Sequence, residues 1–396
     1  MGALIYLDNN ATTALDPQVL EAMMPFLRDH YGNASSLLNP LGRSAANAVE
    51  VARKQVANLI GASEVDTLVF TSGATEAINM ALKGVFYRYQ SKGKHFITCQ
   101  TEHKAVLETF VSLEKLGATV TYLPVDAQGQ LDLVQLEASI RPDTVLVAIM
   151  SANNETGVSQ PIEAIGQITA AHDVLFFCDG TQSIAKQQLN VTHVNVDILC
   201  LSAHKFHGPK GVGALYIRNR PKRIQIEPLL NGGNQENKLR GGTLNVPAIV
   251  GFGAAADIAR ANMNQNVSQM ETMRNHLERQ LLQIPESFVN GEEAIRLPHV
   301  TNITFRHVKA ALLIARIPNI CLSTGSACVS GSRDPSHVLQ AMGLEKEDCF
   351  STIRISLNKW NTLEEIDQAI NDIRNAVEKL RAESPAWELF LKGLIR

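Results

Sequence analysis

Short apolar runs alternate with amphipathic stretches through much of this chain, and that alternation limits its fold more than any other feature. The runs end near Thr71, Thr98, Leu123, Met150, Cys178 and Leu201, with helical patterns between most of them. Such a succession predicts an α/β fold, with a mainly parallel sheet covered by helices on both faces. Val212 to Ile217 reads as one further strand. Upstream, Asp16-Pro17 forms an N-cap and first-turn pair opening a helix to about Arg28, and a turn-rich loop, Tyr31 to Ser36, precedes a helix over about 40–60. Downstream, a helix over about 247–283 leads into a smaller mixed unit. There Thr362-Leu363-Glu364-Glu365 is a capping box, with Ile366, Ile370, Ile373, Val377 and Leu380 as the buried stripe of its helix. The pattern places a large domain at 15–260 and a small α+β domain at 1–14 and 261–396.

Open parallel sheets bind ligands at the carboxyl ends of their strands. Here those ends carry Thr71-Ser72-Gly73-Ala74-Thr75-Glu76, Glu102-His103, Asn153-Asn154-Glu155, Asp179-Gly180-Thr181-Gln182 and Ser202-Ala203-His204-Lys205. The first is a strand running into a helix whose free N–H groups suit a phosphate, although it lacks the ending of a Walker motif. Taken singly, His103 reads as a hydrogen-bonded histidine, Asp179 as a helix cap and Lys205 as a surface lysine in a Gly-Pro turn. Lys205, however, follows the apolar run Val196 to Leu201, and desolvation with Lys210 and His204 nearby favours the neutral amine that attacks carbonyls. Phosphate donors, a histidine for stacking, an aspartate for a protonated ring nitrogen and a Schiff-base lysine together match pyridoxal 5'-phosphate (PLP).

A second centre is the Gly/Ser/Ala-rich run Ser323-Thr324-Gly325-Ser326-Ala327-Cys328. Cysteine in such a run has the access a nucleophilic thiolate needs, and an incidental free thiol is the alternative. Arg354, between Ile353 and Ile355, could grip a carboxylate with its guanidinium fork or lie on the surface.

Composition excludes several classes. The 396 residues carry a net charge of -3 with no basic stripe, so no direct nucleic-acid contact is expected. No apolar run is long enough to span a membrane, and the start has no secretory pattern. Of the six cysteines none form a CxxC pair or a zinc spacing. Cys99, Cys178 and Cys200 read as small core residues, and a reducing, cytoplasmic location is expected.

Together these motifs resemble the cysteine desulfurases of iron–sulfur cluster assembly (IscS/NifS type), within the class-V aminotransferase-like PLP enzymes. The resemblance rests on Tyr6 to Thr13, Thr71 to Glu76, Thr101-Glu102-His103, Asn153 to Glu155, Asp179 to Gln182, Ser202 to Lys205, Gly241-Gly242-Thr243-Leu244-Asn245 and Ser323 to Cys328. It implies the PLP-dependent transferase fold (aspartate aminotransferase-like, fold type I) with a seven-stranded sheet, and removal of sulfur from L-cysteine to give L-alanine. Lys205 would carry the cofactor, Asp179 pair with the pyridine nitrogen, His103 stack on the ring and Gln182 meet its hydroxyl side. Ala74, Thr75, Ser202 and His204 would hold the phosphate, with Thr243 reaching in from the second subunit of a homodimer. Asn154, also at the cofactor, and Arg354 would position the substrate. Cys328 would accept the sulfur as a persulfide and pass it to a scaffold or another acceptor protein, for cluster assembly or tRNA thiolation. No resident metal is implied; Cys328 would serve as a transient iron–sulfur ligand shared with the scaffold.

The length from Cys328 to Pro335 and the Ser384 to Leu389 stretch resemble the long-loop branch, general sulfur donors. Three positions depart from the family pattern. Ala34 and Asn39 stand where a proline and a histidine are usual, Gly180 where alanine is, and the chain stops at Arg396, short of the scaffold-docking tail. Selenocysteine lyase and a small-molecule aminotransferase are the alternative enzymes, and a carrier with a vestigial PLP site the non-catalytic one. Cys328 argues against the first two, and intact Lys205, Asp179 and His103 against the third.

Overall fold

The computed structural model describes residues 4–62, 68–219, 224–324 and 334–394. After a short strand β1 (Ile5–Tyr6) come helices α1 (Pro17–Arg28) and α2 (Pro40–Leu59). Asp16 and Asn39 cap them, accepting from the backbone N–H of Gln18 and of Gly42. Asn39 therefore has a local task, satisfying an orphan donor at the start of α2.

The central sheet contains β2 (Leu68–Thr71), β3 (His95–Cys99), β4 (Thr119–Leu123), β5 (Thr144–Ala148), β6 (Leu175–Asp179), β7 (Ile198–Ser202) and β8 (Gly213–Ile217). Its seven strands run in the order β2-β8-β7-β6-β5-β3-β4, with β8 antiparallel to both neighbours and the remaining pairs parallel. The expected mainly parallel sheet is present. Its inner strands are buried along almost their whole length because both faces are covered, whereas the edge strand β4, Thr119-Val120-Thr121-Tyr122-Leu123, is buried only at Leu123. Phe176 and Cys178 join the core beneath α1, α2 and the helix α7 introduced below, whereas Phe177 joins the core beneath α3 (Ala74–Arg88) and α4 (Lys104–Glu114). Leu199 and Leu201 divide from Ile198 and Cys200 in the same way. This is the period-two alternation of a pleated strand. Cys99, Cys178 and Cys200 are buried free thiols, as expected of small core residues.

Helices α5 (Leu133–Ala138) and α6 (Ile162–Ala171) complete the crossovers, and α7 (Val246–Leu281) follows the sheet. The first half of α7 packs into the core shared with α1 and α2 through Ala248, Ile249 and Phe252. Its last turns supply Met273, Leu277 and Leu281 to a separate core. That second core also holds Ile5 and Leu7, the sheet of β9 (Ser287–Val289), β10 (Val300–Phe305), β12 (Ser323–Thr324) and β13 (Thr352–Ser356), and the helix Leu363–Ala382. β1 enters it by pairing in parallel with β11 (Ile320–Cys321), Ile5 opposite Ile320. The capping box of Thr362 and Glu365 is formed. Among the described residues no helix is long and apolar enough to cross a membrane.

Candidate active site

A cavity of about 450 Å³ opens where the carboxyl ends of β2, β3, β5, β6 and β7 converge. At one wall β2 turns through Gly73 into α3. Gly73 has φ 154°, a backbone position that suits glycine, and no side chain caps the helix. The first-turn N–H groups at Ala74 and Thr75 therefore start a 15-residue helix that faces the cavity. A Cβ on Gly73 would lie 3.9 Å from Ser202 Oγ, so the end of β7 adjoins this helix start. His204 lines the same cavity, with Nδ1 3.1 Å from Thr12 Oγ1. Burial, then the charges of Lys205 and Lys210, push His204 down to about 4. It is a neutral N–H donor at physiological pH.

Asp179, at the end of β6, is 6% exposed. Its Oδ1 accepts from Thr181 N–H at 2.9 Å and from the Cys200 thiol at 3.3 Å, which fixes the carboxylate plane. His103 caps α4, with Nδ1 accepting from Ala105 N–H at 3.1 Å. Burial lowers its proton affinity more than nearby Asp179 raises it, so the ring is neutral with its proton on Nε2. Gln182 Nε2 donates to the Asn10 carbonyl at 3.1 Å, while its buried Oε1 has no partner among the described residues. Lys205 closes a turn of 3-10 helix, Ala203–Lys205, directly after β7. Its Nζ donates to the carbonyls of Asn10 at 2.6 Å and Ala11 at 2.9 Å.

The fold thus gathers Ala74, Thr75, His103, Asn154, Asp179, Gln182, Ser202, His204 and Lys205 around one space. Arg354 stands just behind it. It is 1% exposed, which removes the surface reading. Its Nη1 donates to the carbonyl of Asn154 at 3.0 Å and its Nη2 to Asp8 at 2.6 Å, while Nε has no partner among the described residues. Thr243 is exposed and does not line the cavity of its own chain. Cys328 lies outside the described residues. At Gly180 a Cβ would meet Leu199 Cδ1 at 2.9 Å and Ile184 Cγ1 at 3.2 Å, so neighbouring side chains fill the space an alanine would take.

Several groups were given no role by the sequence reading, although Glu102 and Glu155 stood in its strand-end stretches and Asn10 in the motif from Tyr6 to Thr13. Asn10 anchors Lys205 and Gln182 through its carbonyl, and its Oδ1 meets buried His299 Nε2 at 2.6 Å. Glu102 is fully buried, accepts from Met150 N–H at 2.7 Å and is pushed well above the usual carboxylate range by desolvation. Glu155 is raised to about 7 by burial, against the hydrogen bond from Ser336. Their burial and partners, not their sequence context, set them apart.

Lys186 was missed too. Its amine is buried with no partner among the described residues, and desolvation, then Lys205 and Arg354, lower it from 10.5 to about 7. The unfolded chain therefore binds more protons between these values, and stability falls as pH drops from 10.5 to 7. Lys186→Met is expected to stabilise the fold by roughly 3–5 kcal/mol at acidic pH, with the gain vanishing in alkali. Denaturant melts at both extremes check this, and an equal effect at the two would refute it.

The aminotransferase class-V family matches residues 5–369. The cysteine desulfurase IscS of Haemophilus influenzae strain PittGG is 46% identical over 392 residues, 98% of this chain and 96% of that protein. The same-named protein of Anaeromyxobacter sp. strain Fw109-5 is 47% identical over 391 residues, with the same coverage. A solved NifS-like protein superposes with a TM-score of 0.89 at 38% identity, covering 95% of this chain and all (100%) of that one. A structure of SspA in complex with cysteine gives a TM-score of 0.80 at 37% identity, covering 90% of this chain and 100% of that one. On its strand-end constellation and these full-length matches, the chain belongs to the class-V aminotransferases, among the cysteine desulfurases of the IscS/NifS type.

Proposed function

We propose that this protein is a PLP-dependent cysteine desulfurase that releases L-alanine from L-cysteine and carries the sulfur as a persulfide on Cys328. The observation that carries the reading is the placement of Lys205, Asp179 and the uncapped start of α3 on one cavity. The donor set fits PLP. The helix start with Thr75 and Ser202 suits a phosphate, and the Asp179 carboxylate a ring N–H. The orphaned Oε1 of Gln182 suits a donor on the cofactor or substrate. When bound, PLP supplies an electron sink for the substrate's Cα.

The chain's own residues do the rest. The N–H groups of α3 neutralise phosphate charge, and Asp179 holds a proton at the ring nitrogen. Neutral His103 covers a ring face, and Lys205 takes and returns the proton at Cα. Asn154 and Arg354 orient the substrate carboxylate. The Cys328 thiolate attacks the substrate sulfur. An S–S bond forms as the C–S bond breaks, and the carbon that loses sulfur is protonated to give alanine. Sulfur then leaves to an iron–sulfur scaffold or another acceptor protein, with a thiol regenerating Cys328.

The same reading includes a homodimer in which Thr243 completes the partner's phosphate site, a cytoplasmic location, and the domain division at 15–260 against 1–14 and 261–396. The two apolar cores joined by α7 support that division. The test is alanine and sulfide release from L-cysteine by the purified PLP-loaded protein. Equal amounts, with repeated turnover only when a thiol reductant is supplied, are expected. Cofactor-loaded protein that releases no alanine would point to another amino acid.

A further inference from the structure

Glu76 is at odds with the use proposed for α3. It stands in the first turn of that helix and lines the cavity beside Ala74 and Thr75. Among the described residues only Asp179 adds a second carboxyl to the lining. An acid suits the positive end of a bare helix, but beside a phosphate it competes for the same field and repels the ligand. Burial raises the Glu76 carboxyl, yet hydrogen bonds from Arg240 and Ser72 outweigh burial and leave it below its ordinary value, so it is ionised near neutrality. Its Oε2 also takes up the Ser72 N–H, at 2.8 Å, a donor of the turn itself.

That charge is met from outside the cavity. Arg240 Nε donates to Glu76 Oε1 at 2.9 Å across 164 positions of sequence, and Arg240 does not line the cavity itself. The backbone leading to Arg240 is strained. Glu236, Asn237 and Lys238 lie at φ 46°, 55° and 67°, three successive residues in the left-handed region, which side chains usually enter singly. Buried partners hold this turn in place. The Glu236 carboxyl accepts from Nη1 and Nη2 of Arg53 in α2 at 2.9 and 2.8 Å, and from the Phe70 N–H of the edge strand β2 at 2.7 Å. Arg53 also donates to the carbonyl of Leu68. Beyond Arg240, the Gly241 N–H bonds the Leu230 carbonyl at 3.0 Å. The segment from Glu236 to Gly241 therefore grips the β2–α3 unit twice, at the strand's free edge and at the first turn of the helix.

We propose that Arg240 is a positioning residue for the phosphate site: acting through Glu76, it cancels the acid's charge and so sets how tightly the start of α3 holds a phosphate ester. The inference rests on the reading of that helix start as the phosphate site. Glu76 still has a task there, because it orders the Ser72 N–H and gives Arg240 its anchor. Paired in this way, it leaves the first-turn N–H groups at Ala74 and Thr75 to the ligand without an opposing charge beside them.

The test is a titration of the full-length protein, freed of cofactor, with PLP and with pyridoxal, which has the same ring and aldehyde but no phosphate. Absorbance of the adduct reads both. Arg240→Gln leaves the Glu76 charge unopposed and is expected to weaken PLP about tenfold, with pyridoxal unchanged. Glu76→Gln keeps an acceptor for Ser72 and frees the Arg240 charge, so PLP is expected to bind several-fold tighter than in the wild type. The double variant, neutral like the native pair, is expected to return to within about threefold of wild type. Wild-type PLP affinity in Arg240→Gln overturns the proposal and leaves the phosphate reading intact. Weaker PLP in all three variants, or equal losses of PLP and pyridoxal, marks a merely structural clamp and also overturns it. Wild-type protein that holds PLP no more tightly than pyridoxal refutes the phosphate reading, and this inference falls with it.

Discussion

Lys205→Ala is expected to lower alanine release from L-cysteine by about 10⁴-fold or more, with the fold retained. On the proposed mechanism two functions leave with the amine, the nucleophile toward the cofactor's carbonyl and the acid–base group at Cα. The structural price is smaller. Nζ bonds the carbonyls of Asn10 and Ala11, which tie the N-terminal segment to the turn after β7. Losing these bonds should destabilise the protein by about 1–3 kcal/mol, which a thermal melt separates from the activity loss. Lys205→Arg adds a control, because it keeps a cationic donor near those carbonyls but no attacking amine, and it is expected to be as inactive. Alanine release by either variant within about tenfold of wild type would refute the assignment.

Cys328→Ser is expected to reduce alanine release about a thousandfold or more while PLP and L-cysteine still bind. A thiol ionises near pH 8.5 and a hydroxyl does not at working pH, so serine supplies no comparable nucleophile. Nor can the other thiols with resolved shifts take over. Burial holds Cys99 and Cys349 up at about 11 and pushes Cys178 and Cys200 well above the usual thiol range. Mass spectrometry of the protein after one turnover reads the result directly. A persulfide at wild-type level in the serine variant would remove Cys328 from the mechanism.

The fold was legible because its signals are local. The Asp16-Pro17 pair, the Thr362–Glu365 box and the apolar strand runs each depend on residues a few positions apart, and the helix expected over 247–283 is found at Val246–Leu281. Where a boundary slipped, a distant group intervened. The strand of the run expected to end at Met150 stops at Ala148; Ile149 and Ser151 N–H still bond the carbonyls of Phe177 and Asp179, but Met150 N–H goes to the carboxyl of Glu102. The meeting of these strand-end residues at one cavity was equally legible, since strand ends collect in one place by topology. Its second layer was not. Arg354 meets Asp8 across 346 positions of sequence, and Lys205 meets Asn10 across 195, so neither pairing leaves a spacing to read. Lys186 sits among polar letters in a turn, and only the folded packing distinguishes it from a solvated lysine.

The pairing of β1 with β11 has a consequence for biosynthesis. On a ribosome Ile5 emerges long before its partner Ile320, which follows 315 positions later. At about 5–20 residues per second that interval is roughly 15–60 s. Through it the strand edge at Ile5–Tyr6 and the side chain of Leu7 have no native cover, while the central sheet is already complete on the nascent chain. The segment around Ile5 is thus made early and sheltered late, and a chaperone that binds short apolar segments would find its target there.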